Sequence, residues 1–225
     1  MSRYMKRIPE PERMQPIEEI HYAKADYAKP HEEFVGEVLG AVGRRPGVRL
    51  VDLGCGPGDI LVRLSRRGVD WQLYGLDFWK RMLGYARDAE LSLGPHRAIR
   101  WIQADIKATS LPTAMFGAII SNSVLHHVED AEQFWLEVGR LAEPCATVLL
   151  RDLRRPPDEQ AARIIIARHI GGESSVVRNH YLSSLRSAYT VDEIRAQLQA
   201  AGIAGLKVRK VADRYLEVFG RIHCI

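Results

Sequence analysis

Cysteine is scarce in this 225-residue chain: Cys55, Cys145 and Cys224 stand far apart, with no Cys-x-x-Cys pair. That pattern excludes a disulfide framework and a thiolate zinc cluster, and it fits a reducing cytoplasm. There is also no uninterrupted apolar run long enough to span a bilayer. Met1 to Arg7 runs into Pro9 and Pro11 without the apolar stretch of a signal peptide, so a soluble cytoplasmic protein is expected. Nor is charge of one sign concentrated. The formal net charge is +4, and the basic clusters (Arg44-Arg45, Arg66-Arg67, Arg154-Arg155, Lys207 to Lys210) are short and scattered. A nucleic-acid enzyme would carry a denser basic stripe, so a nucleic-acid partner is not expected. Repeats and low-complexity segments are missing too. With 46% hydrophobic and 27% charged residues, the chain reads as globular, not disordered.

Strand and helix signals alternate along the sequence. Residues 1–45 read as a Pro- and Arg-rich arm followed by helices at Ile17–Tyr27 and His31–Gly43, which would cap a domain over 46–225. Strands are predicted at Val48–Leu53, Trp71–Leu76, Ile99–Ala104, Phe116–Ser121 and Ala146–Leu153, with helices between them. Asp130 with Gln133, and Thr190 with Glu193, have capping-box spacing. A helix over Pro157–Ile170 and a polar stretch from Gly171 to Ala188 make a substrate-side insertion around 156–189. Leu206–Val211 and Tyr215–Ile222 close the chain as an antiparallel hairpin. The pattern predicts an α/β fold, a doubly wound and mainly parallel seven-stranded sheet. Its ligand would lie beyond the carboxyl ends of the strands, at the topological switch point.

The loop after the first strand reads Asp52-Leu53-Gly54-Cys55-Gly56-Pro57-Gly58-Asp59. Glycines there let the backbone turn sharply and approach a ligand, next to a helix start with free N–H groups. The spacing is Gly-x-Gly-x-Gly, not the Gly-x-Gly-x-x-Gly of NAD sites. A carboxylate two residues ahead of the first glycine is awkward beside a pyrophosphate but suits an ammonium. Asp77 ends the next strand, where it can accept two ribose hydroxyls, and Asp105 ends the one after, near an adenine amino group. The features call for a cationic amine, a free ribose and an adenine, without phosphate.

Val51 to Asp59 resembles motif I of the class I S-adenosylmethionine-dependent methyltransferases, whose fold is Rossmann-like. The resemblance implies S-adenosylmethionine as cofactor. Gly54, Cys55, Gly56 and Gly58 would line its methionine end, Asp52 would organise the loop, and Asp77 would bind the ribose. Phe78 or Trp79 would cover the adenine, although both could equally be core. Asp105 and Ile106 would hold the adenine edge, and Met82, Ala104, Ser121 and Asn122 complete the expected contacts.

The fourth strand ends Ser121-Asn122-Ser123-Val124-Leu125-His126-His127. It lacks the Asn/Asp-Pro-Pro-aromatic motif of nucleic-acid amino methyltransferases and resembles the Leu-His-His stretch of the "type 11" small-molecule subgroup. The chain also resembles a bacterial set with an N-terminal Pro-Glu-Pro-Glu element, here Pro9 to Glu12. His126 is a candidate base, with capping of the following helix or bonding of a backbone carbonyl as the alternative, and His127 reads as outward-facing or structural. In the family a helix like that bearing Tyr22 and Tyr27 commonly folds over the cofactor, which makes both catalytic candidates. Arg154, His180, Tyr181, Arg186 and Tyr189 are candidate substrate-binding residues and suggest a small polar or anionic acceptor. No His/Asp/Glu cluster demands a metal, and none is expected. A monomer or homodimer acting on a small molecule is the reading. An RNA methyltransferase and a non-catalytic cofactor-binding module are the alternatives.

Overall fold

The computed structural model describes residues 4–10, 28–92 and 98–224. The expected helix at Ile17–Tyr27, with Tyr22 and all but the final residues of the arm's link to the domain, lies outside them, as does Tyr27. The elements are α1 (Ala28–Val42), β1 (Arg49–Leu53), α2 (Asp59–Arg66), β2 (Gln72–Asp77), α3 (Lys80–Leu91), β3 (Arg100–Gln103) and β4 (Phe116–Asn122). A 3₁₀ turn over Leu125–His127 follows. Then come α4 (Ala131–Leu141), β5 (Ala142–Leu153), α5 (Glu159–Ile170), α6 (Ser175–Ser187), α7 (Val191–Ala200), β6 (Leu206–Val211) and β7 (Tyr215–Ile222).

The seven strands form one sheet in the order β3-β2-β1-β4-β5-β7-β6. β1 pairs in parallel with β2 and β4, and β5 in parallel with β4. β7 inserts antiparallel between β5 and β6. The chain builds β2 and β3 on one side of β1, then crosses to the other side for β4, so the switch point lies between the carboxyl ends of β1 and β4.

The sequence of β1 shows why both faces are covered. Its side chains alternate with period two. Leu50 joins Phe34, Val38, Leu61, Leu64 and Leu83 of α1, α2 and α3, whereas Val51 and Leu53 join Phe134, Trp135, Val138 and Ile194 of α4 and α7. A sheet buried on both sides needs such runs of consecutive apolar residues. A third cluster, Leu153, Ala162, Ile165, Leu185 and Ala188, joins α5 and α6 to the end of β5 and takes in Met5 of the arm.

Helix starts follow the capping logic. Thr190 and Glu193 make a reciprocal box, while Asp130 accepts from Gln133 N at 3.1 Å. Asp130→Ala should cost about 1 kcal/mol of stability, read as a lower urea midpoint with unchanged slope. An unaltered midpoint would remove the cap from the account.

Two expectations are corrected. The stretch 171–188, read only as polar with no helix assigned, holds the 13-residue helix α6, capped by Ser174. Its buried face is made of Ser184, Leu185 and Ser187, so small hydroxyl residues hide the apolar period. Second, Cys145 and Cys224 are not separate thiols but a disulfide. They lie 79 residues apart in sequence, yet the pairing of Ala146 with Ile222 brings their Cα atoms to 4.5 Å. The cysteine argument for a reducing compartment therefore falls. Among the described residues no helix is long and apolar enough to cross a membrane.

Candidate active site

The glycine loop leaves β1 with Gly54, Gly56 and Gly58 all at positive φ (76°, 52° and 81°). A Cβ on Gly54 would stand 2.5 Å from a Val124 methyl carbon, and one on Gly58 would meet Trp101 at 2.5 Å. The loop is fastened to β2: Gly54 N and Cys55 N both donate to Leu76 O, at 2.8 and 2.9 Å. Gly56 N donates to Asp77 Oδ2 at 2.9 Å, and Trp79 N to Asp77 Oδ1 at 2.8 Å. Asp77 thus shapes two loops while its carboxylate lines the cavity they enclose.

That cavity, about 490 Å³, lies at the switch point, a size in the range of small-molecule sites. Gly54, Gly56, Asp77, Phe78, Trp79, Met82, Asp105 and Ile106 of the expected cofactor set line it. Phe78 is 54% exposed, which core packing does not explain. Asp105 also accepts from Lys107 N at 2.9 Å, so its turn role and its place at the wall coexist. The remaining expected contacts sit behind the wall. Cys55 is buried, Gly58 packs on Trp101, Ser121 Oγ donates to Leu53 O at 2.7 Å, and Asn122, ending β4, and Ala104, just after β3, do not reach the cavity.

Asp52 is 2% exposed, and its Oδ1 has no hydrogen-bond partner. Burial, reinforced by the charge of Asp77, pushes its pKa up to about 8. Asp52 stands behind the cavity lining, and a buried carboxyl with one oxygen unpartnered beneath a glycine cradle fits a ligand that brings a cation to this loop. Asp77 and Asp105 fit a ribose and an adenine. The donor set and the space therefore suit S-adenosylmethionine.

The far wall is Ser123, Val124, His127 and Val128. Consecutive residues of a 3₁₀ turn point about 120° apart, so only one histidine faces the cavity, and it is His127. His126 lies behind, 4% exposed, its ring stacked against His127 with centroids 4.1 Å apart. His126 Nδ1 is 2.5 Å from Asp152 Oδ1. Burial opposes charging of His126, but Asp152 and Glu10 outweigh it and the net shift is upward. His127 is held well below the usual histidine range by burial and by the neighbouring His126 and His180.

None of the five expected substrate residues lines the cavity. Arg154 Nη2 donates to Asp213 O at 2.7 Å, Arg186 Nε to Glu159 at 2.9 Å and Arg214 to Tyr181 at 3.3 Å. Tyr189 donates to Val128 O at 3.0 Å and lies under Arg7, so it props the wall from outside. His180, half-buried on α6, contributes charge near His127. Lys107, Ser123, Val124, His127 and Val128 are wall residues outside the expected set. Val124 alone is tied to the glycine motif, by its close approach to Gly54.

The sheet order, the glycine loop and the acids ending β1 and β2 and following β3 define a Rossmann-like methyltransferase architecture. Residues 51–150 match the family model described as "Methyltransferase domain". This segment is thus similar to a methyltransferase domain over 100 of the 225 residues. Among curated relatives, the chain is 32% identical over 119 residues to a 2-phytyl-1,4-naphtoquinone methyltransferase of Trichormus variabilis, 52% of each protein. It is 27% identical over 124 residues to a ubiquinone biosynthesis O-methyltransferase of Aeromonas salmonicida, 55% of this chain and 51% of that one. The match thus spans about half the length of these relatives. A solved S-adenosylmethionine-dependent methyltransferase from Aquifex aeolicus shares the fold, with a TM-score of 0.71 and 20% identity over 93% of this chain and all of that one.

Proposed function

We propose that the chain transfers a methyl group from S-adenosylmethionine to a small molecule with an apolar body and a single reacting polar group. The observation that carries this is the continuity of one cavity, from Gly54, Asp77 and Asp105 at the cofactor wall to Val124, His127 and Val128 opposite. Bound in that cavity, the cofactor supplies an electrophilic methyl on a sulfonium with a good leaving group. What remains for the chain is to hold both partners and keep water away. Asp77 and Asp105 fix the nucleoside, Asp52 and the glycine loop receive the amino-acid end, and Val124 closes against the loop.

The acceptor's nature follows from the opposite wall. The arginines that suggested an anionic acceptor are engaged inside the protein. Two valines flank His127 and Ser123 there. This suits a ring or chain bearing one hydroxyl or carbon nucleophile, in keeping with the quinone precursors implied by the relatives' names.

Calorimetric titration with S-adenosylmethionine and with NAD should show one cofactor site for the first and none for the second. Methyl-labelled cofactor incubated with bacterial extract should then label the organic-soluble fraction. Label confined to RNA would move the acceptor to nucleic acid. No label in any fraction, with binding intact, would leave a cofactor-binding module without transfer.

A further inference from the structure

The fold brings together two motifs far apart in the chain. Residues 4–10 run along α6, with Ile8 N donating to Arg186 O at 3.1 Å and Arg7 Nε to Ser187 O at 2.7 Å. This path delivers Glu10 to the 3₁₀ turn, where one ligand atom each of Glu10, His126 and His127 lie within 4.8 Å of one another. Glu10 is 8% exposed, and Ser184 Oγ, 3.2 Å from both its carboxylate oxygens, steadies it.

We propose that Glu10, His126 and His127 bind a divalent transition-metal ion of the zinc class behind the wall that His127 presents to the cavity. Three observations support it. The first is the donor set: two imidazoles and one carboxylate are a recurrent open site for zinc, leaving a fourth position for water or substrate. The second is the link between His126 and Asp152. With Nδ1 on that carboxylate, His126 has Nε2 left for a metal, and such carboxylate–histidine pairs orient metal-binding imidazoles. The third is the contact between His127 and Glu10. His127 Nδ1 lies 3.2 Å from Glu10 Oε2, yet it is buried without a hydrogen bond of acceptable geometry. Bonds of 2.0–2.1 Å to one tetrahedral ion place ligand atoms about 3.4 Å apart, so this pair already has the spacing of two ligands sharing an ion.

With all three ligand atoms within 4.8 Å, the wider separation in the trio has to close by at most about 1.4 Å toward that spacing. Of the three ligands only His127 lines the cavity, and its Nδ1, beside Glu10, is buried, so the ion would hold that wall in place from behind. The ion would also latch the arm to the domain. Metal binding does not itself rest on the methyl-transfer reading.

The test uses the full, tag-free chain stripped with chelator and titrated with Co²⁺, followed by Zn²⁺ competition. One equivalent of Co²⁺ should bind with visible absorption of a tetrahedral ion, and Zn²⁺ should displace it and raise the melting temperature. Glu10→Gln and His127→Ala should each weaken Co²⁺ binding at least tenfold, and Asp152→Asn by roughly 10–100-fold. Glu10→Gln, on the peripheral arm, covers the case in which a histidine variant fails to fold. Absence of the absorption bands, or Co²⁺ binding unchanged in Glu10→Gln, would overturn the site. S-adenosylmethionine titrated into the same samples separates the two readings. Cofactor binding without metal binding removes the ion alone, and metal binding without cofactor binding removes the methyltransferase reading alone.

Discussion

Asp77→Ala should weaken S-adenosylmethionine binding by roughly 10²–10⁴-fold, measured by calorimetry at fixed pH. Hydrogen bonds to a charged acceptor contribute about 1.5–3 kcal/mol each. Two ribose hydroxyls on this carboxylate therefore stand for about 3–6 kcal/mol, and each 1.4 kcal/mol is tenfold. The same side chain accepts from Gly56 N and Trp79 N, so truncation also frees the glycine loop and the start of α3. Asp77→Asn retains one acceptor oxygen and loses the charge, so its loss should be smaller, about tenfold. The pair separates ligand binding from loop support. Should Asp77→Ala bind the cofactor within threefold of wild type, Asp77 is no ribose ligand and the cofactor's assigned orientation is wrong.

How much of this was legible beforehand depends on the kind of signal. The strands were readable because a sheet covered on both faces needs unbroken apolar runs, as in Leu50-Val51 and Ala118-Ile119-Ile120, each punctuated by glycine, proline or acid. The glycine loop was readable because its backbone demands are local: positive φ and a close approach leave few residue choices. By contrast, α6 was hidden because it buries serines. The Cys145–Cys224 bridge depends on the register of β5 with β7, a non-local property that no spacing encodes.

The acceptor side shows the same division more sharply. Leu-His-His marks the right segment, but which histidine faces the cavity is set by the twist of one 3₁₀ turn, and that turn presents His127. Arg154, Arg186 and Tyr189 looked available because sequence lists donors without their acceptors. The structure supplies Asp213, Glu159 and the Val128 carbonyl. Glu10 was 116 residues from His126 and carried no sign of a shared role until the arm was seen to lie on α6.

Asp52 links the legible motif to a measurable consequence. Its pKa rises from 3.8 in an exposed chain to about 8 in the folded one, through burial first and Asp77 second. Between those values the folded chain holds a proton that the unfolded chain has released, so stability falls as pH rises from about 4 to about 8 and is flat beyond either limit. At about 1.36 kcal/mol per unit, Asp52 alone accounts for a loss on the order of 5 kcal/mol across that window, and Asp52→Asn should flatten the profile. A cation delivered to the loop reverses the preference, because it stabilises the ionised carboxyl. Cofactor binding at pH 7 should therefore release close to one proton, seen as a binding enthalpy that differs between phosphate and Tris buffers. Affinity should climb by up to tenfold per unit from pH 6 toward 8, then fall as the cofactor's own α-amine, near 7.7–8.0 in ordinary peptides, loses its charge. In Asp52→Asn only the falling limb should survive. Identical enthalpies in the two buffers would mean that no proton leaves, and Asp52 would then be a buried structural acid with no part in receiving the cofactor.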